Sequence, residues 1–189
     1  VAIWTLGDCQ PAELELGCPE NGELSATVSI WSASPSLATA GTGSQQATAA
    51  AGWTNNEIEV KIGGTVYNTL SWTLALSNAP EWENYQDGKA AKSKGLPDGI
   101  VLGNEALTCT ITTRKAIPLA SVAFYDDIVA DLAISIQADN GSDEFNIAMA
   151  TMQPTDLNRM TLSADGQHAF EHAFVSNVGV KGLTVTGAA

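Results

Sequence analysis

Basic residues are the scarcest resource of this sequence: eight Lys and Arg stand against 21 Asp and Glu in 189 residues, a formal charge of −13. The shortage is uneven. No Lys or Arg precedes Lys61, the stretch from Lys61 to Ala120 is nearly balanced, and the remainder sets nine acids against Arg159 and Lys181. A nucleic-acid binder neutralises phosphates with clustered basic side chains, and this balance argues against one. Nucleic acid could still pass such a chain, repelled rather than held. Strong acidity also simply keeps a protein soluble, and that plainer role stays open.

Cysteine and histidine are nearly as sparse. Three Cys, an odd number in a chain of this size, are no disulfide framework. Cys109 falls on the apolar side of a strand pattern and reads as core. Cys9 and Cys18 could close a small loop in an oxidising setting, but they lack a second ligand pair for zinc. The only two His lie in His168-Ala169-Phe170-Glu171-His172, the lettering of inverted zinc peptidases. That chemistry needs both His on one helix face, a third ligand and an open position for water. Here Gly166 precedes the string and Phe170, His172 and Phe174 alternate as in a strand, so both His are read as residues of a β-surface or subunit contact.

Other catalytic signatures are missing as well. No G-x-S-x-G elbow, G-x-x-x-x-G-K-[ST] loop or strand-to-helix G-x-G-x-x-G occurs. The acid pairs Glu81 with Glu83 and Asp126 with Asp127 belong to an acid-rich chain and read as solvated faces rather than acid and base. No catalytic, metal or cofactor-binding residue is assigned, and the chain is read as a non-enzyme. It has no apolar run of membrane length and no charged leader, so no membrane anchor is expected. It begins at Val1, as expected after Met removal or processing.

What the chain has in abundance is alternation. Leu70, Trp72, Leu74 and Leu76 point one way and Ser71, Thr73, Ala75 and Ser77 the other, the period of a half-buried strand. Leu107, Cys109 and Ile111 alternate likewise with Thr108, Thr110 and Thr112. Each segment thus has one apolar side and one hydroxyl side. Between them residues 78–104 form a polar loop far too long for a hairpin turn, and loops beyond about 12 to 15 residues are usually functional or disordered.

The rest of the chain follows the same grammar. Residues 1–21 hold two Pro and two Cys without a sustained period and read as an arm or irregular lead-in, leaving 22–189 as the domain. A strand opens at Gly22, with Ala26, Val28 and Ile30 alternating, and ends at Ser34-Pro35. Ser36 to Gly52, almost all small or polar, reads as a covering loop. Glu57 to Ile62 reads as a strand turning through Gly63-Gly64 into one long strand from Thr65. Pro118 to Ala130 carries Val122, Tyr125 and Val129 at helical spacing and predicts one short helix. Leu132 to Ile136 and Phe145 to Met149 form a hairpin across Asp139-Asn140-Gly141-Ser142. Pro154 and Thr155 break the ladder, Leu157 to Leu162 forms a further strand, and one or two short strands close the tail. The sum is a mainly β chain of eight or nine strands, an antiparallel β-sandwich or partly closed barrel with one short flanking α-helix.

The aromatic residues allow a binding role. Trp31, Trp53, Trp72 and Trp82 with Tyr67 and Tyr85 could line a sugar-binding face of a secreted β-sandwich, although Trp72 sits on its strand's apolar side and reads as core. Trp82 and Tyr85, flanked by Glu81 and Glu83, suit anchors for a protein partner.

Leu70 to Asn78, the long loop, then Leu96-Pro97-Asp98-Gly99-Ile100-Val101-Leu102-Gly103 and the threonine-rich strand Leu107 to Thr113, resemble the tail tube (major tail) proteins of long-tailed bacteriophages. At the level of element order the resemblance spans Gly22 to Val185. It implies a virion protein assembled in the host cytoplasm, a β-sandwich with one flanking helix that forms homo-hexameric rings. The rings stack into a tube, contact other tail proteins, and conduct DNA through an acidic lumen without specific binding. Inner sheets would join into a continuous barrel, with Ser71, Thr73, Thr108, Thr110 and Thr112 facing the lumen. The long loop would pack on the adjacent ring, with Glu81, Trp82, Glu83, Tyr85, Lys89, Lys92 and Lys94 as its contact candidates. No cofactor is implied. The N-terminal segment with Cys9 and Cys18 has no place on that pattern.

Overall fold

In the computed structural model, residues 3–38, 52–83, 99–118, 131–139, 144–162 and 168–188 are described. They contain twelve strands: β1 (Ile3–Cys18), β2 (Ser25–Ala38), β3 (Ile58–Ile62), β4 (Thr65–Tyr67), β5 (Thr69–Ser77), β6 (Glu81–Glu83), β7 (Gly99–Val101), β8 (Ala106–Thr113), β9 (Leu132–Asp139), β10 (Glu144–Leu162), β11 (His168–Ser176) and β12 (Leu183–Ala188). Nine follow one path, β2-β1-β5-β8-β11-β10-β9-β3-β4, with β12 also on β10, and β6 pairs only with β7. The path does not close on itself, because β2 and β4 end it.

Packing divides the chain into two compact units. One comprises residues 1–14, 27–51 and 77–105, the other 15–26, 52–76 and 106–189. This division cuts across the expected boundary at residue 21.

In the second unit the path folds at β10. Glu144–Met149 has β9 on one edge and β12 on the other, whereas Met152–Leu162 pairs with β11. Register shifts at Pro154, Asp156 and Arg159 mark the bend. Pro154 has no N–H to give a ladder, and Asn158 sits in the left-handed region at φ +58°, where Asn is tolerated better than most residues. Alternation on either side of the bend turns Trp72, Leu74, Leu107, Cys109, Ile111 and Phe174 from one half, and Val60, Ile134, Ile136, Ile147 and Met149 from the other, into a single buried cluster. The two halves therefore face each other across one core, each large side chain contributing roughly 1.5–3 kcal/mol by burial.

Several expectations change. The lead-in is no irregular arm, because β1 occupies 16 of its residues. Local pattern is weak there, and pairing with β2 and β5 imposes the strand. β2 runs through Pro35 to Ala38, which an end strand tolerates because the missing N–H can face away from the ladder. The Gly63-Gly64 hairpin forms, both glycines at positive φ (58° and 79°) as a tight primed turn requires. The long strand from Thr65, however, is two strands: β4 ends the path, and after Asn68 the chain crosses to β5, between β1 and β8. Leu157 to Leu162 continues β10 beyond its bend instead of starting anew.

The hairpin of β9 and β10 holds, with Ile136 opposite Ile147 and Ile134 opposite Met149. Two strands close the tail, separated by a 3-10 turn at Gly179–Gly182. The expected helix falls almost wholly on residues 119–130, and the covering loop largely on 39–51; both lie outside the described residues.

Candidate assembly surface

On β8 the alternation places Leu107, Cys109, Ile111 and Thr113 in the core. Thr108, Thr110 and Thr112 turn outward, opposite Val175, Ala173 and Glu171 of β11. β5 is the other neighbour of β8 and buries Trp72 and Leu74 in the same cluster. Its outward Ser71 and Thr73 therefore share a face with the three threonines. Thr108 is exposed and the other four are partly exposed. Beside them a shallow groove of about 340 Å³ is lined by Glu15, Gly17, Ser25, Ser71 and Thr73. A Cβ at Gly17 would stand 3.2 Å from the Trp72 carbonyl, so glycine lets β1 and β5 approach closely.

Such a face of hydroxyls is readily hydrated. It carries Glu15 and Glu171 but no basic cluster. Among the described residues Lys61 pairs with Glu59 at 2.7 Å, Arg114 with Glu20 at 2.9 Å and Arg159 with Glu171 at 3.5 Å. Those three cations stand opposite carboxylates, and the other two among the described residues, Lys115 and Lys181, lie far apart in the sequence, so no basic cluster forms there by sequence.

The long loop leaves the first unit through a tied neck. Asn78 donates its backbone N–H to the Ala12 carbonyl at 2.9 Å and its Nδ2 to the Pro11 carbonyl at 3.0 Å. Gly103 donates to the Asn78 and Ala79 carbonyls, and a Cβ there would lie 2.5 Å from the Ala79 oxygen. Beyond the neck, Glu81, Trp82 and Glu83 pair with Val101, Ile100 and Gly99, so the loop begins as a two-stranded stem. Of the contact candidates, Glu81, Trp82 and Glu83 are thus brought together on β6. Tyr85, Lys89, Lys92 and Lys94 lie outside the described residues.

The aromatic residues do not form one open platform. Trp31 and Trp82 stack on each other with centroids 4.7 Å apart, although Trp82 keeps 45 % of its surface exposed. Trp53 meets Phe145 edge-on at 5.6 Å. Trp72 is buried.

The two histidines part company. In place of a helix they occupy the strand β11, where His168 is exposed and His172 wholly buried. The Asn158 backbone N–H donates to His172 Nδ1 at 3.1 Å. The ring proton therefore sits on Nε2, which donates to Thr113 Oγ1 at 2.8 Å. Thr113 passes its own proton to the Lys115 carbonyl at 2.6 Å. Asn158 meanwhile grips both backbone groups of Ile117, accepting from its N–H at 2.7 Å and donating to its carbonyl at 2.9 Å. Burial pushes the His172 pKa down to about 4, against a smaller opposing pull from Asp156. Both ring nitrogens are committed to protein groups, so His172 offers no lone pair to a metal.

Thiol chemistry is muted too. Burial pushes the Cys109 thiol up to about 12 and raises that of Cys18, so neither supplies a thiolate near neutral pH. Cys9 and Cys18 lie nine residues apart along the single strand β1 and form no disulfide.

The polar knot around His172 escaped sequence reasoning. Its one sequence-level signal was Asn158 shortly after Pro154, an αL-tolerant residue following a ladder break.

The sequence model of one family, described as phage tail tube protein, matches residues 3–182. No curated protein matches the chain.

Proposed function

Since the chain belongs to the phage tail tube protein family, and so is a structural component of the virion tail, we propose that it forms hexameric rings that stack into a DNA conduit without catalysing a reaction. The outward face of β5 and β8 carries this reading. Ser71, Thr73, Thr108, Thr110 and Thr112 present hydroxyls that stay hydrated, as the interior of a large barrel requires. Acidic surplus without free cationic clusters keeps a DNA backbone from adhering to a wall. The long loop, rooted at its tied neck, projects to the adjacent ring, and Glu81, Trp82 and Glu83 begin that contact. Other tail proteins meet the tube at its ends.

Negative-stain microscopy of the purified protein tests the reading directly. Rings or hollow tubes are expected, and a protein that stays monomeric at high concentration overturns it. The loop has a separate test. Glu83 and Gly99 are paired neighbours, so a short turn can replace residues 84–98 without disturbing the stem. That variant is expected to keep its fold but not to elongate, and normal tubes from it would remove the inter-ring role.

A further inference from the structure

The stem of the long loop is too small to hold its own direction. β6 and β7 have three residues each and, among the described strands, pair only with one another. A lone two-stranded ribbon is marginal in water even when longer, so this one needs packing from elsewhere. Its two sides differ. Trp82 stands opposite Ile100, so both point to one side, while Glu81 and Glu83 point to the other. The apolar side carries the stack of Trp82 on Trp31 of β2, with ring planes 22° from parallel.

The neck alone does not aim the stem. Asn78 is tied to the Ala12 and Pro11 carbonyls of β1, and Ala79 sits in the left-handed region at φ +40°, a conformation that persists in a residue with a Cβ only where its surroundings impose it. These ties fix where the loop leaves the unit, and a ribbon held at its base can still swing. The stack fastens it at a second point, Trp82, on the strand next to β1. Trp31 is partly exposed and is not among the residues of the core cluster, so packing of the core does not account for an indole there. Trp82 still leaves 45 % of its surface open, so stacking does not use up its capacity for a further contact.

We propose that Trp31 is the positioning residue of the long loop: by stacking on Trp82 it sets the direction of the stem in the free subunit, before the adjacent ring is met. The inference rests on the inter-ring role of the loop given above. Setting the direction in advance matters because apparent affinity falls with the fraction of subunits whose binding part is correctly placed, and because ordering that precedes association is no longer charged to it. A stacked aromatic pair shifts such an equilibrium by about 2- to 10-fold. The same gain recurs with each ring added, so it shows in the concentration needed for growth.

The test uses the full chain and measures, by light scattering and negative stain, the lowest protein concentration at which tubes grow. Trp31→Ala is expected to raise that threshold by about 2- to 10-fold while keeping the melting temperature of the parent. Trp31→Phe retains a ring to stack and is expected to restore growth, whereas Trp31→Leu, equally apolar, is not; this pair decides the matter even if the alanine variant is destabilised. In a Trp82→Ala background, Trp31→Ala is expected to change nothing further, because the residue through which it acts is gone. Wild-type protein that forms no tubes, or normal tubes from the variant with a short turn in place of residues 84–98, overturns the inter-ring role and the positioning role with it. A wild-type threshold in Trp31→Ala, rescue by Leu as good as by Phe, or an added loss in the Trp82→Ala background overturns the positioning role of Trp31 and leaves the inter-ring role standing.

Discussion

Acidification from pH 7 to 5 should weaken the subunit by about 2 kcal/mol through His172 alone. The group is wholly buried, and its acceptor nitrogen faces the Asn158 N–H. A protonated ring would set one donor against another there, with Thr113 already filling the other side. Among the described residues no carboxylate is hydrogen-bonded to the ring; Asp156 acts on it only at a distance, Arg114 is engaged by Glu20 and Arg159 by Glu171. A folded-state pKa of about 4 against 6.5 unfolded means that the unfolded chain binds the extra proton first. The stability is complete above roughly pH 6.5, falls as pH drops, and levels off below about 4. Across the whole window the loss is roughly 3 kcal/mol, most of it reached by pH 5. Glu57 does not confuse the measurement. Hydrogen bonds from Thr54 lower its pKa, so its contribution is lost only at pH values below its unfolded 4.5. Urea unfolding of the soluble subunit, followed by tryptophan fluorescence at pH 7, 6 and 5, reads the effect. His172→Leu supplies the control: it should be about 1–3 kcal/mol less stable at pH 7, because the Asn158 N–H loses its acceptor, and should show no such loss from 7 to 5. Equal pH dependence in the two proteins would refute the reasoning.

Other perturbations separate backbone strain from lost contacts. Asn158→Gly keeps the left-handed backbone but drops the grip on Ile117, whereas Asn158→Ala loses both, so by thermal melting the alanine variant should be the less stable by about 1 kcal/mol. At the loop neck Gly103→Ala drives a Cβ into the Ala79 carbonyl and should cost about 1–3 kcal/mol, seen as faster proteolysis within the first unit; unchanged cleavage would contradict the close approach. Titration of thiols with an aromatic disulfide at pH 8 should label exposed Cys9 quickly and leave Cys18 and Cys109 unreacted until denaturant is added.

How much of this was legible in the sequence depends on who supplies each residue's neighbours. β8, β9 and β11 alternate within their own residues, and their core faces were readable because burial on one side of a strand writes a period of two. β1 was not, because its partners are β2 and β5 and its own letters mix Pro11, acids and Cys. The split between β4 and β5 was hidden for a related reason. Alternation continues in phase through Asn68, and only the pairing of Val60 with Tyr67 on one side and the core position of Trp72 on the other reveal two strands. The hydroxyl residues were found because their alternation is local. The loop was found because of its length. His172 was found as a letter in a motif and misplaced, since the two histidines lie on the same side of β11 and only the core packed over the strand's middle separates buried His172 from His168 at its exposed start.

That bulge links fold to site. Without the bend at Pro154 and Asn158, β10 would run straight in one half of the path, and Arg159–Leu162 would not flank β11 beside the hydroxyl face. The bend is held by Asn158, through its N–H on the His172 ring and its carboxamide on Ile117. A left-handed non-glycine residue costs roughly 1–2 kcal/mol, offset here by three hydrogen bonds worth about 0.5–1.5 kcal/mol each. The polar knot therefore fixes the bend by which β10 passes from one half of the path to the other.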